Sequence, residues 1–176
     1  MIGSVFSWIT RGFLAALLLF SAAFTNLAYS ETTPELVGDP ILWVSGKITN
    51  TNTPEGLVLD EMFISQMDMG HIATSNHVVE QVASYEGPTI ESVLELAGHQ
   101  GKDAKFIAWD DYVVTIPIET IKQYGLLLAT HENGKRMTID DKGPFFVVFP
   151  FTDNPELQND LYYNLSVWQV REIIVE

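Results

Sequence analysis

Cysteine is absent from all 176 residues. That absence excludes disulfides, thiolate nucleophiles, iron–sulfur clusters, thioether-attached haem and cysteine-ligated metals, each of which needs a sulfur this chain does not carry. Positive charge is the second scarcity: nine Lys and Arg stand against 23 Asp and Glu, and the basic residues cluster nowhere beyond Lys135-Arg136. Nucleic acid and anionic membrane surfaces are therefore excluded as partners, because no basic patch offsets the repulsion. Also missing is a glycine-rich turn joining a strand to a helix, which removes the Rossmann class. No internal repeat or low-complexity segment is found.

What is present begins with an apolar leader. In MIGSVFSWITRGFLAALLLFSAAFTNLAYS, Arg11 is the only charge and an uncharged run follows from Gly12 to Phe24. Ala28, Tyr29 and Ser30 supply a small-x-small cleavage pattern, so residues 1–30 are expected to be a secretory signal peptide. The run is shorter than the roughly 20 apolar residues of a spanning helix, which favours cleavage over a retained anchor. Export to the periplasm is expected, with no direct membrane binding after cleavage. Only one basic residue and no acidic one lies in the leader, so residues 31–176 carry a net charge of −15. Residues 31–40, with two prolines, read as a tether. Residues 41–176 are enough for one domain with a core of its own.

Within that domain, strands and short helices alternate irregularly, which predicts a mixed, β-rich α+β class. Strands are expected at Ile41–Val44, ending at Leu59, at Ile72–Thr74, Val79–Tyr85, Lys105–Ala108, Tyr112–Ile116, Leu126–Thr130 and Arg136–Ile139. Asp60 is placed to cap a short helix running to Gln66. Ile90, Val93, Leu94 and Ala97 recur at helical spacing after Gly87-Pro88, and Pro117 and Gly125 bracket another short helix. Asn133-Gly134 is a hairpin signal. The run Phe145 to Phe149 between two prolines is expected to be a central strand buried on both faces, followed by a short helix at Pro155–Leu161 and a last strand in Val167–Val175.

Between those last two strands lies a polar and aromatic stretch where a pocket is expected. Asp110 and Asp111, at the turn between two strands, and Asp140 are candidate carboxylates. Asp110 and Asp111 also fit a plain solvated turn. Trp109, Tyr112, Tyr162, Tyr163 and Trp168 are candidate walls, although tyrosine at a strand start and tryptophan at strand spacing are ordinary core residues. Thr74 opens the Thr74–His77 loop, which is expected to border the pocket. His71, His77, His99 and His131 form no zinc spacing, and no metal is expected. Ser65, Ser84, Ser92 and Ser166 occupy no nucleophile-elbow context.

The segments YEGPTIESVLELAG, AWDDYVVTIP, LLLATHENGKRMTIDDKGPFFVVFPF and YYNLSVWQVREIIV together resemble, in order, the small exported members of the sulfite oxidase-type molybdopterin-binding family. The resemblance implies that fold. Members with molybdenum ligate it through a cysteine, which this chain lacks, so an enzyme of that kind would need an oxygen ligand instead. The family this chain resembles also includes small periplasmic proteins that bind a free reduced pterin and signal to the periplasmic domain of a membrane-bound partner, such as a cyclic di-GMP enzyme or a sensor kinase.

The resemblance therefore implies a noncatalytic pterin-binding protein, with a molybdopterin-dependent oxidoreductase or cofactor-holding subunit as the alternative. The implied ligand positions are Thr74, Asp110, Asp111, Tyr112, Asp140, Lys142, Asn164, Leu165, Ser166 and Trp168. Two of them depart from the family pattern. Leu165 stands where an arginine lies between two serines, and Asp140 stands where arginine is common. Three outcomes stay open: a different pterin, binding through Arg136 or Lys142, or a scaffold that has lost its ligand.

Overall fold

The computed structural model describes residues 36–76 and 81–176, all within one compact unit, Thr32–Glu176. The leader, most of the tether, His77 and the start of the strand expected at Val79 lie outside the described residues. Among those described, no helix is long and apolar enough to cross a membrane.

The largest sheet has five strands in the order β2-β1-β11-β5-β6: β1 (Pro40–Gly46), β2 (Leu57–Asp60), β5 (Asp103–Ala108), β6 (Val113–Pro117) and β11 (Val170–Val175). β11 runs parallel to β1 and antiparallel to β5. Alternation decides its two faces. Leu42, Val44, Phe106, Val114, Ile116 and Ile173 point inward and are buried, whereas the neighbours Trp43, Ile107, Val113 and Glu172 look outward.

Two helices cover the inner face. α2 (Ile90–Leu96) starts at Thr89, whose hydroxyl accepts the Ser92 N–H at 3.1 Å, and buries Ile90, Val93 and Leu94. α3 (Ile118–Tyr124) follows Pro117 and ends at Gly125, whose φ of 58° supplies the left-handed residue that closes a helix without a Cβ clash. α1 (Glu61–Gln66) is capped as expected: Asp60 accepts the Phe63 N–H at 2.8 Å. The other Asp60 oxygen accepts the amides of Val37 and Gly38, fixing the start of the domain to β2.

The run Phe145 to Phe149 is buried throughout, but it is not the centre of the large sheet. Only Phe146–Val148 forms a strand, β10, paired antiparallel with β7 (Leu127–Ala129) in a ladder of two. Its faces serve different cores. Phe145, Val147 and Phe149 join the large core under the five-stranded sheet, while Phe146 and Val148 join a smaller one with Tyr85, Ala129 and Met137. Apolarity on both faces thus marks a wall between two cores, and β11 holds the central place in the sheet.

The smaller core is bounded by β3 (Met69–Thr74), β4 (Ala83–Pro88), β8 (His131–Glu132) and β9 (Lys135–Arg136), in that order. The β8–β9 hairpin turns at Asn133 and Gly134, both with positive φ, as a two-residue turn of that sequence requires. Several boundaries differ from expectation, β3 starting early at Met69 and β5 at Asp103 among them. β4 runs on through Pro88, β9 stops at Arg136, and the short helix after Pro155 is one 3₁₀ turn followed by a separate helix, α4 (Asp160–Leu165), which Asn159 caps.

Candidate functional site

The β5–β6 turn and the end of α4 face each other across a cleft of about 270 Å³. The turn is shaped locally: Asp110 Oδ1 accepts the Tyr112 N–H at 3.0 Å, Ala108 and Tyr112 pair across it, and Asp111 takes a φ of 66°. Tyr112 then donates its hydroxyl to the Asn164 carbonyl at 3.1 Å, tying the turn to the last residues of α4. The chain leaves α4 at Ser166 and passes through Trp168 and Gln169 into β11. Gln169, with a φ of 54°, is clamped from behind, its N–H donating to Lys142 O and its side-chain amide to Ile139 O and Asp141 O.

Asp110, Tyr112, Asn164, Ser166 and Trp168 all line this cleft, so the structure brings together half of the positions singled out in the sequence. Ser166 Oγ is buried and has no hydrogen-bond partner among the described residues. A buried hydroxyl left unpaired costs on the order of 1–3 kcal/mol, and His99 Nδ1 is the other buried side-chain atom in this condition among the described residues. Trp168 is 37% exposed and stands edge-on to Phe146, ring centroids 6.0 Å apart, with Lys142 Nζ behind it at 5.6 Å. It packs with one part of its ring and lines the cleft with another.

The remaining positions lie elsewhere. Asp111 turns away and binds Arg171 at 2.8 Å. Thr74 is buried, donating to the Ser75 carbonyl and accepting the Thr152 N–H at 3.2 Å; its neighbour Asn76 reaches the cleft instead. Asp140 is exposed in the turn before Gly143 and does not line the cleft. Leu165 packs against the large core. Lys142 is buried, paired with Glu132 at 2.8 Å and Asp141 at 3.2 Å. Arg136 is likewise taken, by Glu61 and by the carbonyls of Thr130 and Pro144.

Neither cation that the sequence offered as a substitute ligand is therefore free to reach the cleft. Burial alone would depress the Lys142 ammonium, but its hydrogen bonds and attraction to Glu132 and Asp141 outweigh that and hold it above its ordinary value. The same Glu132 accepts the Tyr85 hydroxyl at 2.8 Å, and burial followed by that bond pushes the phenol well up.

Of the expected walls, Tyr163 lines the cleft, whereas Tyr162 packs on Phe149 and Tyr124. Asn76 belongs to the Thr74–His77 loop expected to border the pocket, whereas Gln169 was not singled out. Only the positive φ of Gln169 distinguishes it, and composition does not report that. Trp109 lines a second, larger cleft of about 390 Å³ formed with β1, β2 and β11, which holds none of the candidate ligand positions. Size favours that cleft. The unpartnered Ser166 Oγ and the converging polar groups favour the smaller one, and polar convergence is the better guide to a specific site.

No protein-family model matches the chain, and no curated protein matches it in sequence. Among solved structures, it is similar to the sulfane dehydrogenase SoxCD from Paracoccus pantotrophus, with a TM-score of 0.57 and 18% identity over 81% of this chain. The match spans 40% of that protein. At such identity the likeness establishes a shared fold, and no activity passes with it. The fold is the mixed, sheet-rich α+β class expected from the sequence.

A thiolate-held molybdenum does not fit the residues present. The cleft offers a carboxylate, hydroxyls, amides and an indole, and no sulfur. Among the described residues, no group of three or more His, Asp or Glu is arranged to hold a metal.

Proposed function

We propose that the protein is an exported, noncatalytic binder of a neutral reduced pterin, using the cleft between the β5–β6 turn and α4. The observation that carries this is a cleft with a carboxylate and an unpartnered buried hydroxyl but no lysine or arginine among its lining residues. A pterin's amino-pyrimidinone edge presents adjacent donors that one carboxylate accepts as a pair, and its flat ring needs an aromatic neighbour. Asp110 supplies the first and Trp168 or Tyr112 the second. Asp110 Oδ1 already accepts one amide, and Oδ2 accepts none among the described residues.

A cavity of about 270 Å³ suits a bicyclic ring, being near the lower limit of roughly 300–1,000 Å³ for small-molecule pockets. A phosphate-bearing cofactor tail would need cations that the cleft does not offer. The resemblance in the AWDDYVVTIP and YYNLSVWQVREIIV segments and the expected leader of residues 1–30 support the same reading.

Binding alone signals nothing. The ligand must favour one surface state over another, which a partner then reads. The partner we propose is the periplasmic domain of a membrane-bound signalling protein. The test is to purify the protein anaerobically from the periplasm, then identify bound heterocycles by fluorescence and mass spectrometry. A stoichiometric tetrahydropterin is expected. A protein that arrives empty and ignores added reduced pterins overturns the reading. The likeness to a dehydrogenase favours a second reading, an oxidoreductase with an oxygen-ligated metal cofactor, and stoichiometric molybdenum on metal analysis would establish it.

A further inference from the structure

We infer that the larger cleft, on the outer face of the five-stranded sheet, is a second ligand site for a small organic cation: a guanidinium or alkylammonium group on an apolar stem. It stands independently of the pterin reading, since it shares no lining residue with the smaller cleft.

Glu172 carries the inference. It lies on β11, in the middle of the sheet, in register with Trp43 on one side and Ile107 on the other. Half-buried between apolar neighbours, its carboxylate has no hydrogen bond or ion pair among the described residues. A carboxylate in that setting gains from a cation that brings its own apolar cover.

The surroundings supply that cover. Trp43 and Trp109 meet edge to face with centroids 6.3 Å apart, giving a corner of indole rings beside Glu172. Indole faces attract cations, guanidinium most often, and Arg171 already uses this chemistry, its guanidinium carbon lying 5.8 Å from the Trp109 centroid.

A second carboxylate, Glu55, enters from the β1–β2 loop, which is held firmly in place. The Asn52 side chain bonds both the N–H and the carbonyl of Val58, at 2.7 and 2.8 Å. Gly56 lies so close to β1 that a Cβ there would come within 2.3 Å of the Val44 carbonyl. Glu55 has no ion pair among the described residues.

Charge sets the sign of the ligand. Among the described residues Arg171 is the only cation lining the cleft, and it is engaged by Asp111 at 2.8 Å and by the Trp109 ring. Glu55 and Glu172 are left uncompensated. A bare metal ion would find only those two carboxylates and would gain nothing from the indoles. An organic cation uses both.

The test is calorimetric titration of the purified protein, at low ionic strength, with butylguanidinium and with its neutral isostere butylurea, following tryptophan fluorescence in parallel. Saturable binding of one butylguanidinium per chain is expected, with butylurea at least about tenfold weaker. The double variant Glu55→Gln/Glu172→Gln should weaken butylguanidinium about tenfold while its melting temperature is unchanged, since a charge-assisted contact is worth about that much. Asp110→Asn should leave this binding intact. Failure to saturate, equal binding of butylurea, or unchanged binding in the double variant would each overturn the assignment.

Discussion

The two clefts flank the same turn, with Trp109 lining one and Asp110 the other, and they are built from different materials. The smaller is a loop construction in which hydrogen bonds fix the rim and one hydroxyl, Ser166 Oγ, is left over. The larger is a strand construction whose walls are rings and whose free groups are carboxylates. Hydrogen-bonded loops can offer a single unmatched donor or acceptor to a neutral, directional ligand. A sheet face cannot aim so finely, but it can present charge against broad apolar surface. The contrast predicts neutral selectivity in one cleft and charge selectivity in the other.

The severest way to break that difference is to remove what stands behind the loop-built cleft. Phe146 is fully buried in the smaller core and meets both Tyr85 and Trp168 edge-on. Phe146→Ala should cost about 3–5 kcal/mol by the usual large-to-small core penalty, read by chemical denaturation. Pterin binding should fail before cation binding does.

Lys142→Met is next. Removing one partner from a buried ion pair leaves Glu132 uncompensated, at a cost on the order of 3 kcal/mol. The Trp168 fluorescence should shift with it, since the ammonium lies 5.6 Å from that ring. A variant as stable as the parent would show that Glu132 finds water or Tyr85 sufficient.

Asp110→Asn sharpens the comparison with little damage. Asparagine keeps the oxygen that accepts the Tyr112 amide and loses the charge, so stability should change by less than about 0.5 kcal/mol. Pterin affinity should fall roughly tenfold or more, the worth of a charged hydrogen bond.

The smallest effect concerns neither cleft. Asp60 is held below its ordinary value of 3.8 by the amides of Phe63, Gly38 and Val37, in that order. A depressed carboxyl stabilises the fold above its unfolded value, and that contribution is lost as pH falls through the folded value. Acid unfolding should therefore begin at higher pH in Asp60→Asn, while both ligands bind at neutral pH as before.

Local grammar made much of the fold legible. The Asp60 cap, the Ile90–Ala97 spacing, the Pro117 and Gly125 brackets and Asn133-Gly134 each act over a few residues, and each appears where the sequence put it. Phe145 to Phe149 was legible only as doubly buried. Which partners bury it depends on β7 and β4, and no local pattern names them.

The candidate site divides in the same way. The Asp110 and Tyr112 turn could be foreseen because two strand-forming runs flank it. That Asp111 would turn outward could not, since Arg171 lies sixty positions away. Lys142 had the look of a ligand because it is a rare cation beside the expected pocket, yet its partner Glu132 comes from another hairpin. Leu165 stood out as a missing arginine, and its side chain belongs to the core.

The most direct test of the account is anaerobic calorimetry of tetrahydropterin with the parent protein and Asp110→Asn, each at two salt concentrations. The account predicts one saturable site in the parent, little salt dependence because the ligand is neutral, and a loss of about tenfold or more in the variant. Binding that falls steeply with salt, or that is equal in the two proteins, would contradict it.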